Sequence, residues 1–154
     1  MKVFEIHSDG ASSGNPGPAG IGVVITSDGK TVKTVSEAIG EATNNVAEYT
    51  AVIRALKEAK AIGAEHIRLR MDSQLVFYQL KGEFKVKHAN MKPLHEEALG
   101  LLKSFKKAEC KVVPREENKE ADRLATSALK KIKAGHDGRS DEFIIGEESP
   151  SSTG

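Results

Sequence analysis

Four acidic residues stand at the predicted ends of secondary-structure elements rather than in the middle of charged, exposed faces. Asp9 and Asp72 each follow a short run of alternating apolar and polar residues, which predicts a strand that ends there. Glu48 lies in a long predicted helix, and Asp122 lies near the start of the last one. If the two strands are parallel neighbours, their carboxyl ends lie about 5 Å apart, at the edge where open α/β sheets bind ligands. We therefore expect the four carboxylates to converge.

Clustered carboxylates repel one another unless protons or cations compensate their charge. A site made only of oxygen ligands suits Mg²⁺ or Mn²⁺ rather than Zn²⁺. Two such ions about 3.5 to 4 Å apart can support an in-line phosphodiester displacement without a side-chain nucleophile. Taken singly, each acid has an ordinary interpretation as a turn residue, a helix cap or an exposed helix acid, so only the four together favour a metal site.

The elements that must position these acids follow from apolar periodicity and from turn signals. The predicted strands cover residues 2–8, 20–26, 31–39, 66–71 and 109–113, and the predicted helices cover residues 44–62, 74–80, 93–105 and 118–132. Asp28-Gly29 predicts a tight hairpin turn, and Asn44 is the expected N-cap of the first helix. The order of elements is therefore βββ-α-β-αα-β-α.

Four stretches of the sequence resemble, in order and within its spacing, the motifs of the type 1 ribonuclease H family. They are DGASSGNPGPAG from Asp9, TNNVAEY from Thr43, RMDSQLV from Arg70 and ENKEADRLA from Glu117. The resemblance spans residues 2 to about 132. It implies an α/β fold with a five-stranded mixed sheet of order 3-2-1-4-5 and helices on both faces. It also implies an endonuclease that hydrolyses the RNA strand of an RNA/DNA hybrid and leaves 5′-phosphate and 3′-hydroxyl ends.

The resemblance also implies a role for each acid in holding two Mg²⁺ ions, for which Mn²⁺ is a candidate substitute. Asp9 is expected to bridge both ions and Asp122 to complete the ion on the nucleophile side. Glu48 and Asp72 are expected to hold the ion on the side of the leaving group. All four are therefore candidate catalytic residues.

The substrate-binding candidates surround these acids. They are Gly10, Ala11, Ser12, Asn15, Thr43, Asn45, Gln74, Lys85 and Lys87. The three small residues after Asp9 allow backbone groups to approach a ribose, and the amides can bind 2′-hydroxyls and base edges. Thr43 and Asn15 match family positions near the phosphate of the DNA strand. The two lysines belong to a basic stretch that is either a phosphate-binding surface or an ordinary solvated one. Double-stranded RNA is a second candidate substrate.

The loop before Asp122 contains no histidine, whereas many bacterial relatives carry a mobile one there. Arg115 is our candidate for the vacant role, because a guanidinium can pair with a phosphate in a bidentate manner although it cannot shuttle protons. The alternative is that Arg115 covers the end of a strand or pairs with a surface acid. The missing histidine also leaves open a catalytically weak or inactive hybrid-binding module. A third possibility is a domain of a reverse transcriptase or fused nuclease, because such domains share the fold and the four acids that the resemblance implies.

Composition limits the other properties of the chain. The 154 residues carry 23 Lys and Arg against 22 Asp and Glu, a net charge of +1, so a surface that binds a polyanion must be a local patch. The apolar runs are too short to cross a bilayer, and Glu5 interrupts the start of any signal peptide. We expect a free-standing, cytoplasmic monomer without a membrane partner, with a ribonuclease H-like catalytic domain over residues 1–132. Residues 133–154 are expected to form a polar tail, which an apolar island at residues 143–145 could anchor.

Overall fold

A computed structural model describes the backbone of residues 2–137 and the side chains of residues 2–130. Within these residues the chain forms five strands and four α-helices in the predicted order. They are β1 Val3–Ser12, β2 Gly17–Ser27, β3 Lys30–Ala42, α1 Asn44–Ala61, β4 His66–Met71, α2 Gln74–Lys81, α3 Lys92–Lys103, β5 Lys107–Val112 and α4 Lys119–Asp137. A 3₁₀ turn, Arg115–Glu117, precedes α4 and was not predicted.

The five strands form one mixed sheet of order β3-β2-β1-β4-β5, which confirms the predicted fold. β1, β2 and β3 are antiparallel neighbours, while β1 and β4, and β4 and β5, pair in parallel. The turn between β2 and β3 has positive φ at both Asp28 (54°) and Gly29 (76°), as a type I′ hairpin turn requires.

The prediction that β1 stops at Ser8 was wrong. The parallel ladder with β4 ends at the pair His7 and Arg70, but the antiparallel ladder with β2 continues as far as Ser12. Asp9-Gly10 is a frequent turn signal, yet here β2 supplies hydrogen-bond partners that keep the backbone extended. Asp9 therefore lies inside a strand, two residues beyond the end of the parallel ladder.

Helices cover both faces of the sheet. Successive residues of a strand point to opposite faces. In β2, Ile21 and Val23 are buried in the core together with Leu56 of α1, whereas a Cβ added to Gly22, between them, would overlap the carbonyl oxygen of Ala121 in α4. α1 and α4 thus lie on opposite faces, and the α4 backbone approaches β2 so closely that only glycine fits at position 22.

Two predicted helix boundaries need correction. The N-cap of α1 is Thr43, whose hydroxyl accepts a hydrogen bond from Val46 N at 3.2 Å, and Asn44 is the first helical residue. α4 continues five residues past its predicted end at Ile132, so part of the predicted tail is helical. The rest of that tail, including its apolar island, lies outside the described residues. No helix within residues 2–137 is long and apolar enough to cross a membrane.

Candidate active site

Three carboxylates meet at one end of the parallel ladder between β1 and β4. Asp9 and Asp72 each follow the last residue pair of that ladder by two positions, so the parallel strands deliver them to the same edge. Glu48 reaches them from near the start of α1. One carboxylate oxygen of each residue lies within 4.8 Å of the others.

Glu48 is held in place by the backbone of β1. The amide of Gly10 donates a hydrogen bond to Glu48 Oε1 at 2.9 Å, and the bond is buried. A Cβ added to Gly10 would overlap the carbonyl of Ala47, so α1 rests directly on β1 at this point. The sequence predicts that the small size of Gly10 admits a ribose. In this structure, α1, which carries Glu48, occupies the space that a side chain at position 10 would fill.

Asp72 is fixed by a residue that the sequence analysis missed. The amide nitrogen Nδ2 of the buried Asn118 donates to Asp72 Oδ2 at 3.1 Å and to the carbonyl oxygen of Ser8 at 2.9 Å. The backbone oxygen of Asn118 accepts from Asp122 N at 3.1 Å, at the start of α4. Asn118 thus links β1, Asp72 and α4. An asparagine at a predicted helix start signals an N-cap, and nothing in the sequence indicates its long-range bonds.

Asp122 lies in the first turn of α4, outside the group of three carboxylates that share the 4.8 Å separation but close enough to raise the pKa of Asp9. Its carboxylate pairs with the guanidinium of Arg115, with Nη2 and Oδ1 3.5 Å apart. The Arg115 side chain is 78% exposed, so it is free to contact a large ligand as well. The alternative interpretation was that Arg115 pairs with an acid, and in this structure that acid is Asp122.

Burial and mutual repulsion raise the pKa values of two of these acids above their ordinary range. Burial, together with the charges of Glu48, Asp72 and Asp122, raises the pKa of Asp9 to about 9. Burial raises the pKa of Glu48 to about 8, although the hydrogen bond from Gly10 opposes this shift. Acids that hold protons at neutral pH mark a site where positive charge is needed. An all-oxygen donor set of this kind fits Mg²⁺ or Mn²⁺.

Besides Gly10, six of the substrate-binding candidates lie at three places around the carboxylates. Asn45, Lys85 and Lys87 line a groove of about 530 Å³ between the start of α1 and the segment that follows α2. Gln74 lines a depression of about 550 Å³ together with Asp72 and Arg115. Ala11 and Ser12 are half-buried in β1, directly after Asp9 and Gly10.

The two remaining candidates organise the start of α1. Thr43 caps the helix, and the side-chain oxygen Oδ1 of Asn15 accepts a hydrogen bond from Asn44 N at 3.0 Å. These contacts occupy the Thr43 hydroxyl oxygen and the Asn15 carbonyl oxygen. The amide NH₂ of Asn15, which is exposed, is still available to a ligand.

Comparison with known proteins identifies the family. Residues 7–128 match the family model described as reverse transcriptase-like. The chain is 45% identical over 124 residues to ribonuclease HI of Halobacterium salinarum, which covers 80% of this chain and 62% of that protein. The crystal structure of that RNase H1 superposes with a TM-score of 0.82 at 43% identity, over 84% of this chain and 98% of the other. The chain belongs to the type 1 ribonuclease H family.

Two further ribonuclease H proteins are similar to this chain. The bifunctional protein Rv2228c of Mycobacterium tuberculosis is 44% identical over 157 residues, across 100% of this chain but 43% of its own length. LC11-RNase H1, solved in complex with an RNA/DNA hybrid, has a TM-score of 0.79 and 40% identity over 84% of this chain and 99% of its own. This ribonuclease H chain therefore spans less than half of the mycobacterial protein.

Proposed function

We propose that this ribonuclease H cuts the RNA strand of RNA/DNA hybrids and leaves 5′-phosphate and 3′-hydroxyl ends. The observation that carries the proposal is the meeting of Asp9, Glu48 and Asp72, with carboxylate oxygens within 4.8 Å, in a chain of this family. The LC11-RNase H1 complex with a hybrid supports the choice of substrate. A module that only binds hybrids has no use for buried acids that repel one another, so we favour the enzyme.

We infer that two Mg²⁺ ions bind these carboxylates and that Mn²⁺ can replace them. Asp9 would help to hold both ions, Asp122 would help to hold the ion that serves the nucleophile, and Glu48 with Asp72 would hold the ion that serves the leaving group. When bound, such a pair of cations supplies nucleophile activation and leaving-group stabilisation for an in-line phosphodiester displacement. The raised pKa values of Asp9 and Glu48 support this assignment, because cations would replace the protons that the acids otherwise retain.

The chain itself contributes orientation. The Gly10 amide and the Asn118 side chain each hold one carboxylate oxygen, on Glu48 and Asp72 respectively. Each acid has a second oxygen that these bonds leave available for a cation. Ligands fixed in this way need little rearrangement when the cations and the scissile phosphate arrive.

We infer that the hybrid extends from the carboxylates across Asn45 into the groove lined by Lys85 and Lys87. Ammonium groups in that groove would contact phosphates, while the amides of Asn45 and Gln74 would contact 2′-hydroxyls and base edges. The position of Asn45 in the groove and of Gln74 beside Asp72 supports this path. Asn15 and Thr43 would contact the DNA strand near the start of α1. Ala11 and Ser12 would lie against a ribose, whereas α1 covers the face of Gly10 that lacks a side chain.

Arg115 is proposed to take the place of the loop histidine. Its pairing with Asp122 puts the guanidinium beside the proposed nucleophile-side ligand, and its exposure leaves the other nitrogens able to bind a phosphate oxygen. Because arginine keeps its proton near neutral pH, we infer a role in phosphate contact or product departure rather than in proton transfer.

A cleavage assay tests the whole proposal. Labelled RNA/DNA hybrid, double-stranded RNA and double-stranded DNA would each be incubated with Mg²⁺, with Mn²⁺ and with a chelator. We expect cleavage of the hybrid RNA strand in the presence of either cation, and the double-stranded RNA arm tests the second candidate substrate. Tight hybrid binding without products in either cation would instead favour the inactive binding module. The monomeric state and the cytoplasmic location stay predictions.

A further inference from the structure

The proposed phosphate contacts lie on a segment without regular secondary structure. Residues 82–91, the lysine segment, connect α2 to α3, and both Lys85 and Lys87 are exposed on this segment. Exposed lysines on an irregular backbone lose conformational freedom when they bind, and that loss weakens affinity. Contacts that fix this backbone before the substrate arrives therefore affect binding.

Backbone hydrogen bonds tie down both ends of this lysine segment. At its start, the amides of Glu83 and Phe84 donate to the carbonyl oxygen of Tyr78 at 2.9 and 3.1 Å. At its end, the amide of Lys92 donates to the carbonyl oxygen of His88 at 3.2 Å. The lysines lie between these two anchors.

A buried glutamine side chain holds the middle of the lysine segment in place. Gln79, in the last turn of α2, is 3% exposed, and its Nε2 donates to the carbonyl oxygen of Lys85 at 3.2 Å. Its Oε1 accepts a hydrogen bond from the Tyr49 hydroxyl at 2.6 Å. Tyr49 is fully buried and directly follows Glu48 in α1. The amide therefore connects the helix of the carboxylates to the lysine segment.

The chemistry of these partners determines the orientation of the amide. A carbonyl oxygen can only accept a hydrogen bond, so the NH₂ of Gln79 must face Lys85 and its oxygen is left to accept from Tyr49. The backbone oxygen of Gln79 has its own partner, His95 Nε2 at 3.0 Å. Gln79 also lines the groove together with Asn45 and Lys87. A rotated or shortened side chain at position 79 would leave buried polar atoms unpaired, which is costly.

We propose that Gln79 is a positioning residue for hybrid binding, which, braced by Tyr49, holds the Lys85 backbone so that Lys85 and Lys87 face the groove before substrate arrives. The inference rests on the proposed function, since it assigns Gln79 a part in hybrid affinity. Gln79 touches none of the carboxylates in the described contacts, so the bond-breaking step should not depend on it.

Gln79→Met tests the proposal, because methionine keeps the length of the side chain and removes both hydrogen bonds. We expect the KM for hybrid to rise about threefold to tenfold and kcat to stay within a factor of about two. In a Lys85→Ala/Lys87→Ala background, the same change should raise KM no further, because residues that act through one another are not additive. Ile67→Val, a core change in β4, is the matched control that lowers stability without raising KM.

Tyr49→Phe is the second variant, in case Gln79→Met does not fold. It removes only the hydrogen bond from Tyr49 to Gln79, so we expect a smaller rise in KM of about twofold. This rise should also be absent in the Lys85→Ala/Lys87→Ala background. If the folded variants cleave the hybrid with an unchanged KM, the inference about Gln79 is overturned while the proposed function stands. An equal rise with and without the lysines would also overturn it, since Gln79 would then act through general stability. Failure of the wild type to cleave hybrid with either cation would instead refute the proposed function and, with it, the inference.

Discussion

Replacing Asp9 with asparagine should abolish cleavage and stabilise the cation-free protein at the same time. Burial and three neighbouring acids raise the pKa of Asp9 to about 9. The asparagine side chain has nearly the same shape as that of aspartate but no charge, so the repulsion disappears together with one cation ligand. Glu96→Gln, which removes the charge of an exposed acid in α3, is the matched control and should change neither property.

The size of the stabilisation follows from the linkage between proton binding and folding. Asp9 titrates near 3.8 in the unfolded chain and at about 9 in the folded one, so the folded state binds this proton more tightly. Stability is therefore largest below the unfolded pKa and falls as the pH rises towards the folded one, by about 1.4 kcal/mol for each pH unit. At pH 8 this loss of stability amounts to at most about 6 kcal/mol. Because Glu48 redistributes its proton when Asp9 changes, we expect Asp9→Asn to recover about half of this loss.

Thermal denaturation in a chelator, followed by circular dichroism from about pH 5 to about pH 9, measures this effect. Asp9→Asn should melt roughly 5–10 °C above the wild type near pH 8, and the difference should shrink towards pH 5. Added Mg²⁺ should raise the Tm of the wild type much more than that of the variant. A variant that is no more stable at pH 8 would refute the electrostatic reasoning, and a variant with near wild-type turnover would refute the metal assignment.

Three further predictions test other parts of the site. Lys85→Ala with Lys87→Ala should weaken hybrid binding and reduce the slope of log affinity against log salt by about 1 for each lost phosphate contact, whereas an unchanged slope would indicate an ordinary solvated surface. Arg115→Ala should lower kcat more than it raises KM, with partial recovery in Arg115→Lys, and wild-type kinetics in Arg115→Ala would remove this residue from the mechanism. Gly22→Ala should cost about 1–3 kcal/mol of stability and most of the activity, because the added methyl group would displace α4. Gly100→Ala, in open space on α3, is the control and should be neutral or stabilising by up to about 1 kcal/mol. Equal effects of the two glycine changes would contradict the argument that α4 approaches β2 closely at Gly22.

The order of elements could be predicted from the sequence because each strand and helix carries its own periodicity. Boundaries were harder wherever pairing overrides a local signal. Asp9-Gly10 is typical of a turn, and only the hydrogen bonds to β2 show that β1 continues through it. Thr43 and Asn44 are both good N-cap residues, and the sequence alone could not decide between them.

Residues whose role depends on distant partners could not be predicted. Asn118 has the sequence context of a helix cap, but its side chain bonds Ser8 and Asp72, which are 110 and 46 residues away. Gln79 has the sequence context of one polar position of an amphipathic helix, and its burial becomes evident only when α1 and the lysine segment close around it. Local pattern carries no information about such contacts, because their cause is the packing of whole elements.

The two glycines next to Asp9 explain why a site of carboxylates can form at this point of the sheet. Gly10 follows Asp9 in β1 and lets α1 approach from one face, while Gly22 is the cross-strand partner of Asp9 and lets α4 approach from the other. α1 carries Glu48 and α4 carries Asp122, so the missing side chains set how near both acids come to Asp9. Their charges oppose this approach, and tight backbone packing on both faces overcomes the repulsion. The geometry of the candidate site is therefore a property of how the helices lie on the sheet, and changes that shift either helix by a fraction of an ångström should reduce activity before they unfold the protein.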